Sequence, residues 1–359
     1  MAASLVAIII GCDNEGSYFC TPCDRSCDAL TFAKSGNCSE CGMRLVPSDG
    51  ARRQDSLKVN EIDVREGSGS FLIEGGVGRE EKTIRVYYHK PKNFSSNSPV
   101  LLVIPGAGRN GDSYRNAWVE ASEKYSALIL SPTYSAKNYG FGDYHLGGLI
   151  ENVQIRGVPI AKADPTIRVW RLDDSDLTFE VNPEPAKWIF QDFDRIFESV
   201  IEALGSAQTT YDIFGHSAGG QILHRFALFH PDSKADRILA SNSGFYTTPD
   251  SLLGLPFGIK ATGLDASDLK KSFQKKLALF IGELDNENET RGTRLHTPIA
   301  DQQGLHRLAR GKYFYQEAQK LADQMGVEFN WELVVVPGVG HDHEKMGQAA
   351  ASFLFGKTD

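Results

Sequence analysis

Beyond residue 41 the chain has no cysteine. No disulfide and no thiolate metal site can form there, so that part must hold together by its core alone. Long apolar runs are missing too. None reaches the roughly 18 residues of a membrane-spanning helix. Positive charge is not in excess: 38 Lys and Arg stand against 46 Asp and Glu, a formal net charge of −8. That balance argues against nucleic acid as a partner, because phosphate binding needs clustered cations. Repeats and low-complexity tracts are absent. With 359 residues, 41% apolar and 23% charged, the chain has a globular composition and room for one large domain with an appendage.

Glycine is plentiful, and it falls where apolar runs end. Residues 211–219 read Tyr-Asp-Ile-Phe-Gly-His-Ser-Ala-Gly. An apolar run stops at Gly215, Ser217 follows, and a helical stripe of Ile222, Phe226 and Phe229 comes next. The five-residue G-x-S-x-G pattern is weak by itself. Strand, sharp turn, serine and helix in succession give it meaning, because a tight turn thrusts the hydroxyl out above a sheet.

Two further strand-like runs end in loops that carry an acid and a histidine. Residues 277–285 read Leu-Ala-Leu-Phe-Ile-Gly-Glu-Leu-Asp, and residues 333–341 read Leu-Val-Val-Val-Pro-Gly-Val-Gly-His. Ser217, Asp285 and His341 therefore follow one another on three strand-end loops, which a parallel sheet gathers at one edge. His343 competes with His341, but its position predicts that it enters the helix beginning near Glu344. Glu283 and Glu287 compete with Asp285, which is preferred because it follows the turn.

These residue types fit acyl transfer. A serine hydroxyl is a poor nucleophile until a base takes its proton. His341 can do this and return the proton to the leaving group, and Asp285 can fix its tautomer. The tetrahedral oxyanion needs preorganised N–H donors. The amide of Ala218 is one candidate, at a helix start. Residues 99–111, Pro-Val-Leu-Leu-Val-Ile-Pro-Gly-Ala-Gly-Arg-Asn-Gly, lead a buried strand into a glycine-rich loop that offers a second. That donor is expected at Ala107, with Gly106 as the neighbouring alternative.

From about residue 60 onward the chain resembles the α/β-hydrolases. The segments Ile104-Pro-Gly-Ala-Gly, Gly215-His-Ser-Ala-Gly-Gly, Gly282-Glu-Leu-Asp and Gly338-Val-Gly-His match the family's oxyanion, nucleophile, acid and histidine loops. The flavour is that of poly(hydroxyalkanoate) depolymerase-like and feruloyl-esterase-like bacterial esterases. The resemblance implies an α/β fold with a mostly parallel eight-stranded sheet, helices on both faces, and ester hydrolysis through an acyl-enzyme without a cofactor. Where the family commonly has a histidine-glycine pair, this chain has Pro105-Gly106. A backbone donor survives that change, and a histidine side-chain role does not.

Elsewhere, residues 60–74 and 82–90 alternate as strands, and 126–132 reads as another. Helices are predicted over 186–204 and 313–325. Residues 134–185 form an irregular insertion with two strands expected at 166–171 and 177–181. It is either a cap over the site or a structural excursion. Tyr144 within it, His216 beside the serine, and Phe245 and Tyr246 after another strand are the candidate pocket residues, or they simply pack there.

All six cysteines lie in the first 41 residues. Cys20-x₂-Cys23 and Cys38-x₂-Cys41 form two close thiolate pairs suited to tetrahedral Zn²⁺. Residues 17–47 resemble the small heavy-metal-binding domain of bacterial metal-handling proteins, with Cys23 where a histidine is common. Cys27 lies outside the pattern. Structural zinc is the expectation, because so small a module buries little core. Residues 1–12 end in Ile9-Ile-Gly-Cys, which resembles a lipoprotein cleavage site with Cys12 lipidated. They lack the usual basic residue and length. Envelope attachment through Cys12 and a cytosolic N-terminus with a buried Cys12 both stay open. Residues 48–60 read as a linker, and 61–359 as the catalytic domain. The expected function is a serine carboxylic ester hydrolase acting on a small-molecule or polymeric ester. The alternatives are a peptidase or amidase of the same fold, and a non-catalytic metal-handling envelope protein.

Overall fold

The computed structural model describes residues 18–20, 31–37, 39, 45–47, 57–156 and 169–356. Its contacts divide the chain into two units, Met1–Leu57 and Lys58–Asp359. In the first, strand β1 (Tyr18–Cys20) pairs antiparallel with β2 (Thr31–Phe32) on one side and β3 (Leu45–Pro47) on the other. Cys20 ends β1. Cys12, Cys23, Cys27, Cys38 and Cys41 lie outside the described residues, as does the expected metal site they would build.

The second unit is organised on an eight-stranded sheet. Its strands are β4 (Gly67–Glu74), β5 (Thr83–Lys90), β6 (Val100–Ile104), β7 (Leu128–Thr133), β11 (Tyr211–His216), β12 (Ala235–Ser241), β13 (Lys276–Gly282) and β15 (Glu332–Val336). The spatial order is β15-β13-β12-β11-β6-β7-β5-β4. β5 runs antiparallel to both neighbours, and every other pairing in this sheet is parallel. The sequence explains the central strands. β6 and β11 are buried along their whole length, as continuous apolar runs covered on both faces must be.

Alternate residues feed two cores. Leu102, Ile104, Ile213 and Leu279 point to one face, against Phe193, Ile196, Ile222, Phe226 and Phe314. Leu101, Val103, Phe214 and Phe280 point to the other, against Tyr114, Trp118, Met346 and Leu354. Helices Phe190–Leu204, Ala218–Phe229 and Arg307–Met325 thus cover one face, and helices Gly111–Ala117 and His343–Phe355 cover the other. This is the expected α/β architecture. Among the described residues no helix is long and apolar enough to cross a membrane.

Three boundaries differ from expectation. The helix predicted from 186 begins at Phe190, because Trp188 is extended (ψ 144°) after a short turn at Pro185–Lys187. The helix predicted from 313 begins at Arg307, where the His306 side chain accepts the Ala309 N–H. Histidine is not a usual cap residue, so the sequence carried no start signal. The insertion is also more regular than read. It holds helix Phe141–His145, β8 (Ile150–Ile155), β9 (Val169–Arg171) and β10 (Leu177–Val181). β8 pairs with β10, and β9 runs parallel to β14 (Arg294–His296) from the segment after β13.

Candidate functional site

Ser217 stands between the last residue of β11 and the first of helix Ala218–Phe229. Its backbone has φ 59° and ψ −113°, a region that costs a non-glycine residue of order 1–3 kcal/mol. The surroundings impose it. The Ser217 N–H donates to Ser241 O at 2.9 Å. A Cβ on Gly215 would stand 2.5 Å from Gly219 O, and one on Gly219 would run into Ile104 O. Both glycines of the pattern are therefore required by close backbone approach.

Ser217 Oγ lies 3.1 Å from His341 Nε2, and His341 Nδ1 lies 2.8 Å from Asp285 Oδ2. The three strand-end loops bring these side chains within hydrogen-bond distance of one another. The competitors face elsewhere. His343 opens helix His343–Phe355 and stacks on Tyr114 at 4.3 Å. Glu283 accepts the Gly338 N–H at 2.8 Å, and Glu287 lies 3.5 Å from His306.

Burial pushes the His341 imidazole toward its neutral form, and the nearby Arg307 cation adds to this. Asp285 opposes both, and the net shift is downward. For Asp285, burial favours the neutral acid, but His341 and Arg307 outweigh it and hold the carboxyl below its ordinary range. The resting pair is thus a neutral imidazole beside a carboxylate, the protonation state a general base needs. His216, whose ring centre is 4.5 Å from that of His341, is driven well below its usual range by burial and by the charges around it.

The loop after β6 lies against the serine. A Cβ on Gly106 would stand 3.5 Å from Ser217 Cβ and 2.8 Å from Tyr114 Oη. Ala107 beside it is exposed, while Ala218 is buried at the first helical position.

The four expected pocket residues are all inward-packed. Tyr144 is fully buried, donates its hydroxyl to Pro105 O at 2.7 Å and lies under the Arg109 guanidinium, bracing the loop after β6. His216 is held between Tyr114 and Asn242. Phe245 packs on Phe257 and beneath the Arg225 guanidinium. Tyr246 stacks on Phe314 at 4.8 Å in the main core. Of the two readings open for these aromatics, Tyr246 packs in the main core, while Phe245 clusters with Phe257, Ala300 and Phe141 of the insertion.

Several residues of the site carried no sequence signal. Asn242 Oδ1 accepts the Gly282 N–H at 2.9 Å and its Nδ2 donates to Gly340 O at 3.1 Å, tying three strand-end loops together. Glu289 accepts the His341 N–H at 2.6 Å. Burial pushes its carboxyl up, but Arg291 and the backbone N–H groups of His341 and Arg291 outweigh that and hold it down at about 2. Arg307, fully buried, donates to Asp285 Oδ1 at 2.9 Å. Each lies tens of residues from its partner, beyond any local periodicity. Behind the His341 loop, Glu289 and Arg291 also line a cleft of about 360 Å³ with Leu284, Asn286, Gly340 and Lys345.

No family model matches the chain, and no curated protein does. Solved structures match well. Poly(aspartic acid) hydrolase-1 from Sphingomonas sp. KT-1 is 33% identical with a TM-score of 0.68, over 80% of this chain and 98% of that one. The poly(3-hydroxybutyrate) depolymerase LpqC from Bordetella parapertussis is 26% identical with a TM-score of 0.67, over 81% of this chain and 91% of that one. Sheet order, the turn at Ser217 and these similarities together make the chain a member of the α/β-hydrolase family.

Proposed function

We propose that this protein is a serine hydrolase that cleaves carboxylic esters through an acyl-enzyme. One observation carries the reading: Ser217 Oγ, His341 and Asp285 form a continuous hydrogen-bonded line at the carboxyl edge of the sheet. In this reading Ser217 attacks the carbonyl as His341 takes its proton. Asp285 holds Nδ1–H and steadies the imidazolium. The intermediate expels the alcohol with the proton returned by His341, and water then repeats the sequence on the acyl-enzyme. The oxyanion is received by the N–H groups of Ala218 and Ala107. Ala107 is preferred, with the buried Gly106 beside it as the alternative.

The substrate class follows the relatives. Both act on polymers by their names, one of an amino acid and one of a hydroxy acid. A polymeric or oligomeric ester is the first candidate. An amide is the second, supported by the greater identity to the poly(aspartic acid) hydrolase. Replacing Ser217 by Ala should abolish hydrolysis of short acyl esters and labelling by a fluorophosphonate. Full activity in Ser217→Ala would overturn the reading. Graded acyl esters and the matching amides, run on the same two proteins, separate ester from amide.

For the N-terminal part we propose a structural Zn²⁺ on Cys20, Cys23, Cys38 and Cys41, and envelope attachment through a lipidated Cys12. The support is the spacing of the cysteines and the run before Cys12. Metal analysis of the purified chain and mass analysis of its N-terminal peptide test the two.

A further inference from the structure

Asp285 gives its two carboxylate oxygens to different partners. Oδ2 faces His341 Nδ1 at 2.8 Å, and Oδ1 accepts from Arg307 Nη1 at 2.9 Å. The same guanidinium donates to Arg291 O at 3.4 Å and to Thr293 O at 3.0 Å. Between those carbonyls lies Gly292, at φ +67°, where a Cβ would stand 2.7 Å from both Cδ2 and Nε2 of His341. The backbone of 291–293 therefore presses on the edge of the imidazole that faces the serine. The Leu308 N–H also donates to Asp285 O at 3.0 Å, fixing the helix that carries Arg307 to the same acid.

We propose that Arg307 is a positioning residue: it binds Asp285 and the 291–293 backbone into one unit around His341, giving the imidazole a single orientation. The proposal rests on the reading of Ser217, His341 and Asp285 as the reacting groups. A planar guanidinium can reach three oxygens at once in a fixed fork, which an ammonium cannot. It also offsets the cost of keeping a carboxylate buried. The groups facing His341 are Asp285 and Glu289 from the segment after β13, Arg307 from its helix, and His216 at the end of β11. Removing Arg307 leaves the two nearest carboxylates acting on the imidazole with the buried cation gone, so protonation becomes easier.

The test uses the full chain labelled with ¹⁵N-histidine, in the wild type, Arg307→Gln and Arg307→Lys. His341 is titrated by NMR without substrate, and p-nitrophenyl acetate hydrolysis is followed against pH. In Arg307→Gln the His341 midpoint should rise by about one pH unit, and kcat/KM at pH 7.5 should fall by about 10²-fold through kcat. In Arg307→Lys the charge remains, so the midpoint should stay near that of the wild type while kcat/KM falls about tenfold. An unmoved His341 midpoint in Arg307→Gln overturns the proposal. If Arg307→Gln does not fold, wild-type kcat/KM in Arg307→Lys overturns it. Hydrolysis that survives Ser217→Ala would overturn the proposed function instead, and the His341 titration would still decide the role of Arg307.

Discussion

At the residue scale, the site depends on how each ionisable group is shared. His341 has one nitrogen toward Asp285 and one toward Ser217, and burial plus the Arg307 cation keep it neutral. Its folded pKa lies below the ordinary value of 6.5. The active form is therefore present above that pKa and lost as pH falls through it. The acid limb of kcat/KM should have its midpoint below pH 6.5, with a level profile across pH 7–8. A midpoint above 6.5 in an ester assay would contradict the electrostatic account. Asp285→Asn keeps the size of the group but presents an amide to Nδ1. It should lower kcat by roughly 10⁴-fold, by loss of the correct tautomer, while leaving fluorophosphonate labelling slow but measurable.

At the element scale, the turn between β11 and its helix decides where the serine stands. Gly215, Gly219 and Gly220 each meet backbone where a Cβ would go: Gly219 O, Ile104 O and Ser241 O. These contacts draw the helix start against β6 and β12, and the positive φ of Ser217 follows from that packing. Gly219→Ala should destabilise the protein by about 3 kcal/mol, because the clash is with backbone that cannot turn away. Urea unfolding should show a lower midpoint at unchanged slope. An unchanged midpoint would mean that the helix start has slack. By contrast, the helix beginning at Arg307 is capped by His306, an ordinary loop histidine in the sequence. No start signal was legible there, which is why Arg307 stayed hidden as a partner of Asp285.

Across the whole molecule, the sheet is covered on both faces and several histidines are sealed inside. His224 is fully buried. Its Nε2 accepts the Thr247 N–H at 3.0 Å and its Nδ1 lies 3.1 Å from Gly220 O, so the neutral tautomer satisfies both. Burial drives His224 and His216 well below the usual histidine range. The unfolded chain then binds more protons than the folded one below about pH 6.5, so stability rises with pH through that window and is full above it. Asp285 and Glu289, with lowered pKa values, act with the same sign at lower pH. Each histidine kept neutral one pH unit below its ordinary value costs about 1.4 kcal/mol on acidification. The urea midpoint should therefore be lower at pH 5.0 than at pH 7.5, and an equal or higher midpoint at pH 5.0 would refute this.

What the sequence determined by itself is local: apolar runs that must be strands, glycines where they end, and the order Ser217, Asp285, His341 on the loops that follow. Period and turn chemistry act over a few residues, so they can be read without the fold. Only the tertiary structure decided the rest. It turned Tyr144 and Tyr246 inward, gave order to the insertion through the β9–β14 pairing, and set Arg307, Glu289 and Gly292 around His341. The β9–β14 pairing spans more than a hundred residues, and the hydrogen bonds of Arg307 to Asp285 and of His341 to Glu289 span 22 and 52. They exist because buried charges must find partners wherever the packed chain brings them, and no local pattern records that.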